Sequence, residues 1–270
     1  MNDPSPPYAR YAAVYDRIGQ RAFGQRTAEA LLAGMGARNR LPRRALDLAC
    51  GTGAATMILA AAGCDTVGVD RAPAMLAEAR RAAAAAGLPI TWIEQDLRAL
   101  DVPGLFDLAT CWYDSINYLT DADDLRAVFR LVHDHLTPGG LFAFDVNTRH
   151  KLRAWGTAAF VAADGDDLFG VYQAAYDEST HLSPLRLTFF ARSVTDPGRW
   201  DRFDEVHVER GYALVNLEAM LEDAGFLAID MHDMPILGGG PGGLASEGSM
   251  RVLVLARRAE SHPIGADDDR

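Results

Sequence analysis

Three aspartates and one glycine turn carry most of the chemistry legible in this chain. Asp47, Asp70 and Asp96 stand at or just past the ends of three successive strand-like runs. Asp47-Leu48-Ala49-Cys50-Gly51-Thr52-Gly53 reads as a short buried strand running into a turn that opens a helix. In an open parallel sheet, such a turn brings bare backbone against a small polar ligand at the carboxyl ends of the strands. Gly51 and Gly53 accept dihedrals closed to other residues and carry no Cβ to block close approach. A carboxylate at Asp47, shortly before Gly51, would repel a pyrophosphate but suits an ammonium or sulfonium group. Asp70 lies 19 residues beyond Gly51, where such folds place an acid to accept ribose hydroxyls. Asp96 can accept from an exocyclic amine while the Leu97 amide donates to a ring nitrogen. Any one of these acids alone could simply cap a helix. Together, in register with the glycine turn, they describe a nucleoside carrying a positive, amino-bearing tail.

The elements that must position them alternate from Arg43 onward. Strand-like runs fall near 44–50, 65–70, 90–94, 105–112 and 139–147, with helical runs near 53–62, 73–86 and 122–136. Pro73 suits a first helical turn and Gly87 stops the alanine-rich helix before it. Repeated βα units of this length imply a mainly parallel, doubly wound α/β sheet. A helix at 216–224, a strand at 226–233 and a closing strand at 250–256 complete a seven-stranded sheet, the last strand antiparallel. Between them, 148–213 alternates in a strand-like way, with turn signals at Ser183-Pro184 and Asp196-Pro197-Gly198, and reads as an antiparallel β insert after the fifth strand. The expected organisation is therefore a helical lid over 1–42, a ligand-binding core over 43–147 and 214–258, the insert as a substrate cap, and a disordered acidic tail over 259–270. Gly19 and Gly24 are the expected breaks in the first helical region, and Gly238–Gly243 reads as a flexible hairpin connection.

Composition narrows the function. The 270 residues are 49% hydrophobic, so a sizeable core is available. The net charge of −11, with no dense basic cluster, argues against a nucleic-acid partner. Cys50, Cys64 and Cys111 lack metal-ligand spacing and read as reduced, buried thiols; no metal is expected. The polar, proline-rich start carries no apolar signal segment, and no apolar run reaches the roughly 20 residues of a spanning helix. A cytoplasmic protein without membrane contact is expected.

From about residue 8 to 258 the chain resembles the class I S-adenosylmethionine-dependent methyltransferases, which have a Rossmann-like core. Asp47–Gly53 matches the first motif of that family, and Val67-Gly68-Val69-Asp70 followed by Ala74-Met75-Leu76 matches the second. Asp96-Leu97 matches the adenine-contacting step, and Leu136-Thr137-Pro138-Gly139-Gly140-Leu141 the turn into the fifth strand. The resemblance implies S-adenosyl-L-methionine as cofactor. It implies contacts from Asp47, Ala49 and Gly51 to the methionine part, with the Cys111 carbonyl near its amine. Asp70, with Arg71 beside it, would bind the ribose; Met75, Asp96 and Leu97 would bind adenine. Tyr15, in a stripe with Tyr8 and Tyr11, matches a tyrosine that closes over the cofactor.

The acceptor is expected to be a small molecule with an N or O nucleophile, because the run Cys111–Tyr118 lacks the signature of nucleobase amino methylases. Methylation of a protein side chain or RNA is the alternative within the class. A non-catalytic cofactor-binding or interaction module, and a nicotinamide dinucleotide oxidoreductase, are the alternatives outside it. The oxidoreductase is disfavoured because Thr56 stands where its fingerprint needs a third glycine. Methyl transfer from a sulfonium mainly requires alignment and desolvation, so no obligatory catalytic motif exists. Tyr15, Asp114 and His150 are the catalytic candidates. The polar run Asp204–Arg210 is expected to place His207 and Glu209 on a solvated face, and the insert aromatics, Trp155, Phe169, Tyr172, Tyr176, Phe189, Phe190 and Trp200, mostly in the insert's own core.

Overall fold

In the computed structural model the described residues are 7–38, 40–156, 159–193, 195–196 and 198–260. The alternating βα pattern builds one seven-stranded sheet from β1 (Arg44–Leu48), β2 (Asp65–Asp70), β3 (Thr91–Glu94), β4 (Phe106–Cys111), β5 (Leu136–Asn147), β10 (Phe226–Asp233) and β11 (Arg251–Arg258). Their order is β10-β11-β5-β4-β1-β2-β3, with β1, β2, β3, β4 and β5 pairing in parallel and β11 antiparallel to both neighbours. Strand order therefore reverses between β1 and β4, the position where such sheets open a ligand crevice.

Local chemistry explains the helices. In α4 (Pro73–Ala86), the proline sits at the first turn and Gly87 closes the helix at φ +66°. α5 (Ala122–Asp134) is capped by the Asp121 carboxylate, which accepts from the Asp123 and Asp124 N–H groups. Its buried Leu125, Val128, Phe129 and Val132 join Leu46, Leu48, Phe142 and Phe144 in the main core. The first helical region is α1 (Ala12–Tyr15), a 3-10 turn at Asp16–Ile18, and α2 (Arg21–Gly36). Gly19, at φ +83°, is the break. Gly24 is not, and α2 runs through it. A Cβ there would stand 3.2 Å from the Cβ of Ala54, so glycine lets α2 lie tightly against the start of α3 (Ala54–Ala61).

The insert begins with α6 (Arg149–Trp155) and forms a separate antiparallel sheet of β6 (Ala159–Asp164), β7 (Leu168–Ala174), β8 (Leu182–Arg192) and β9 (Trp200–Arg210). α7 (Leu214–Asp223) then returns the chain to β10. Part of the expected turn at Asp196-Pro197-Gly198 and most of the expected acidic tail lie outside the described residues. The Gly238–Gly243 loop packs back on α2, with the Gly239 N–H donating to Thr27 Oγ1 at 3.2 Å.

Candidate active site

A cleft with about 1190 Å³ of empty space, its open mouth included, lies at the carboxyl ends of β1, β2, β3 and β4. The glycine turn forms its floor. Ala49, Gly51 and Gly53 all have positive φ, at +49°, +55° and +77°. A side chain at Gly53 would also meet the Trp92 indole at 2.5 Å, so both backbone and packing demand glycine there.

Asp70 ties the turn to α4. One carboxylate oxygen accepts from the Gly51 N–H and the other from the Ala72 N–H, each at 2.8 Å. A carboxylate has about four lone-pair sites, so acceptor capacity remains for ribose hydroxyls. Burial raises the Asp70 pKa, opposed by those backbone bonds. Asp47 is 1% exposed and accepts from Thr56 Oγ1 at 2.5 Å and Thr110 Oγ1 at 2.7 Å. Desolvation outweighs both hydroxyls and pushes its pKa up to about 6. A buried carboxylate held only by neutral donors is an anion suited to a cationic ligand. Asp96 is the opposite case. The Arg98 guanidinium clasps both its oxygens, at 2.7 and 2.9 Å, and lowers its pKa to about 2.

Comparison with known proteins decides what this cleft holds. Residues 45–140 match the family profile of a methyltransferase domain. Over 221 residues, 81% of this chain and 86% of the other, the chain is 31% identical to "Putative methyltransferase YqeM" of Bacillus subtilis (strain 168). A crystal structure of an S-adenosylmethionine-dependent methyltransferase from Clostridium acetobutylicum ATCC 824 superposes with a TM-score of 0.80 at 30% identity, covering 93% of this chain and 99% of that one. The chain belongs to the class I S-adenosylmethionine-dependent methyltransferases. A dTDP-3-amino-3,4,6-trideoxy-alpha-D-glucopyranose N,N-dimethyltransferase of Streptomyces venezuelae is 27% identical over 212 residues, 76% of this chain and 83% of that one.

S-adenosylmethionine is thus the cofactor of this methyltransferase, and the donor set fits it: an uncompensated buried acid, a ribose-type acid and an open glycine turn on one wall. Tyr15, Asp47, Ala49, Gly51, Asp70, Arg71, Met75, Asp96 and Leu97 all line the cleft. Cys111 does not. It is fully buried in the core at the last position of β4, and the wall there is made by Trp112 and Tyr113. Trp112 lines the cleft and its buried indole N–H has no partner among the described residues.

Two catalytic candidates are displaced. Asp114 is not among the cleft-lining residues, because Arg251 Nη2 takes its carboxylate at 2.6 Å. His150 is exposed on α6 and also absent from the cleft. The Thr148 hydroxyl accepts from the Lys151 N–H and starts a helix there, which turns His150 outward. The insert aromatics line no part of the cleft. Tyr172 and Phe189 instead pack with Tyr11, Val14 and Phe203.

The largest correction concerns β9. Its alternation is as expected but its sense is reversed: Glu205, His207 and Glu209 are buried, while Val206, Val208 and Arg210 are half-buried. Among the residues at the cleft that sequence reasoning did not single out are Gln20, which accepts from the Tyr113 hydroxyl, and Tyr118. An acid–X–His–X–acid run on one strand face, flanked by valines, is the signal that marks the buried half of this arrangement.

Proposed function

We propose that this cytoplasmic enzyme transfers the methyl group of S-adenosylmethionine to a small-molecule acceptor bearing an N or O nucleophile. The observation that carries this reading is the set of residues lining the cleft. It runs from the nucleoside acids past Asp47 to a second end lined by Tyr8, Trp112, Tyr113, Ser115 and Tyr118. Asp47 would hold the cationic methionine tail, Asp70 the ribose and Asp96 with Leu97 the adenine. The cofactor supplies a methyl group on positively charged sulfur, so the protein's part is to align the acceptor and exclude water. Tyr15 on α1 and Tyr8 just before it stand over that end and would exclude water from it. The amino-sugar relative supports an amine acceptor. The net charge of −11 disfavours RNA.

Calorimetric titration with S-adenosylmethionine, and separately with a nicotinamide dinucleotide, tests the cofactor half; binding of the first alone is expected. Tritium transfer from labelled S-adenosylmethionine to a panel of amines, phenols, carboxylates and bulk RNA tests the acceptor half. Label appearing in RNA and in no small molecule would overturn the proposal.

A further inference from the structure

Four side chains from three separate segments form one hydrogen-bonded line ending at the acceptor side of the cleft. Glu205 Oε2 lies 3.0 Å from His207 Nε2, and His207 Nδ1 lies 2.8 Å from the Tyr118 hydroxyl. The Tyr8 hydroxyl donates to that of Tyr118 at 3.0 Å. Glu205 and His207 are 0% and 1% exposed, whereas Tyr118 and Tyr8 line the cleft. Burial works against the Glu205 charge, but bonds from His207 and from the Arg10, Tyr11 and Tyr8 N–H groups hold its pKa below the usual glutamate range. Ionised Glu205 can only accept, so His207 Nε2 carries the hydrogen and Nδ1 presents a lone pair to Tyr118. Burial raises the Tyr118 and Tyr8 pKa values well above those of free phenols, so both stay neutral and pass protons without holding a charge.

We infer that Tyr118, His207 and Glu205 are a proton relay that drains the methyl acceptor. This inference rests on the methyl-transfer reading of the cleft. A hydroxyl acceptor must lose its proton, and an alkylammonium must lose one before its nitrogen has a lone pair to attack with. As attack forms the new bond from nitrogen or oxygen to carbon, the carbon–sulfur bond breaks and its electron pair stays on sulfur. The acceptor's proton passes to the Tyr118 oxygen while the Tyr118 hydrogen passes to His207 Nδ1. Tyr118 ends neutral, and the imidazolium is held against Glu205 until its proton returns to solvent. Tyr118 is thus the catalytic residue; His207 and Glu205 act through it as positioning residues. The titratable groups around His207 are Glu205 on its own strand, Tyr8 and Tyr11 from the amino-terminal segment, and Tyr118. Asp114 adds negative charge that acts on Tyr118, and Glu209, whose pKa burial pushes up to about 8, adds its own only above that pH.

Two measurements test the relay on the full chain. Nitrogen NMR of histidine-labelled enzyme with S-adenosylmethionine needs no acceptor. It should find His207 as the Nε2–H tautomer near neutral pH, and Tyr118→Phe should move the Nδ1 resonance while the fold is retained. An Nδ1–H tautomer, or an imidazolium across the whole range from about pH 6 to 9, overturns the relay. On each acceptor that the wild-type enzyme methylates, His207→Gln and Tyr118→Phe should lower kcat by roughly 100-fold or more near neutral pH. The S-adenosylmethionine Kd should stay within about twofold, and the lost rate should return as pH rises and the acceptor deprotonates unaided. Folded variants with wild-type kcat and pH profile overturn it. Failure to bind S-adenosylmethionine would instead sink the function on which it rests.

Discussion

Asp47 shows how burial turns a motif residue into a measurable property. Its pKa is pushed from 3.8 to about 6 by desolvation, so ionisation at neutral pH costs the free protein about 3 kcal/mol. The sign follows: the folded state prefers protonated Asp47, so this residue's contribution falls as pH rises from about 4 to about 6 and is level above. A cationic ligand needs the ionised form. S-adenosylmethionine affinity, measured by calorimetry from about pH 5 to 7, should be level above pH 6 and weaken toward tenfold per pH unit below it. Asp47→Asn should flatten that dependence and weaken binding at neutral pH, while raising the Tm of the free protein. A pH-independent wild-type affinity would sever Asp47 from the ligand's charge. At this scale the meeting of Asp47, Asp70 and Asp96 at one cleft was legible because each sits beside its own strand end and the glycine turn anchors their register. Tyr118 and His207 were not, because they are 89 residues apart in sequence and become neighbours only through the docking of the insert.

At the scale of elements, the alternation of β9 was legible and its polarity was not. Period two assigns residues to two faces but does not say which face is wet. Here the acid–His–acid face turns inward because it has partners waiting: Glu205 takes backbone N–H groups, and Glu209 accepts from Asn147 Nδ2 at 2.7 Å. β6 is hard to read for a different reason. It is an edge strand, Ala-Phe-Val-Ala-Ala-Asp, whose three alanines blur the two-residue pattern. β11 hides a similar surprise, since Arg251 is 1% exposed at the start of the strand, just ahead of the apolar run 252–256. Its guanidinium pairs with Asp145 and Asp114 and lies over the Phe23 and Tyr113 rings. It thereby joins β5, β11, α2 and the turn after β4. Arg251→Met leaves Asp145 buried without its cation, and urea unfolding should report a loss of about 3–5 kcal/mol. Adding Asp145→Asn should restore part of it; a loss below about 1 kcal/mol in the single variant would show that the pair does not hold these elements together.

The whole molecule is a sheet, an insert and an amino-terminal segment meeting around one cleft. That segment is fastened to the insert more than to the sheet. Its Tyr8, Arg10 and Tyr11 N–H groups all end on Glu205, at 2.7–2.9 Å, and Tyr11 packs among Tyr172, Phe189 and Phe203. Tyr8 and Tyr15 from the same stretch face the cleft. A ligand that contacts only the docked segment stabilises docking by RT ln(1 + [L]/Kd), about 2.7 kcal/mol at a hundredfold excess over Kd. If the segment must lift for S-adenosylmethionine to enter and closes over it afterwards, amide exchange across residues 8–18 should slow by roughly 100-fold at that concentration. Exchange in the insert edge strand β6, none of whose residues lines the cleft, should change little. Hydrogen-exchange mass spectrometry separates the two regions. Equal protection of both would mean that the ligand tightens the molecule globally, and no protection of residues 8–18 would mean that the cofactor enters and leaves beneath a segment that never opens.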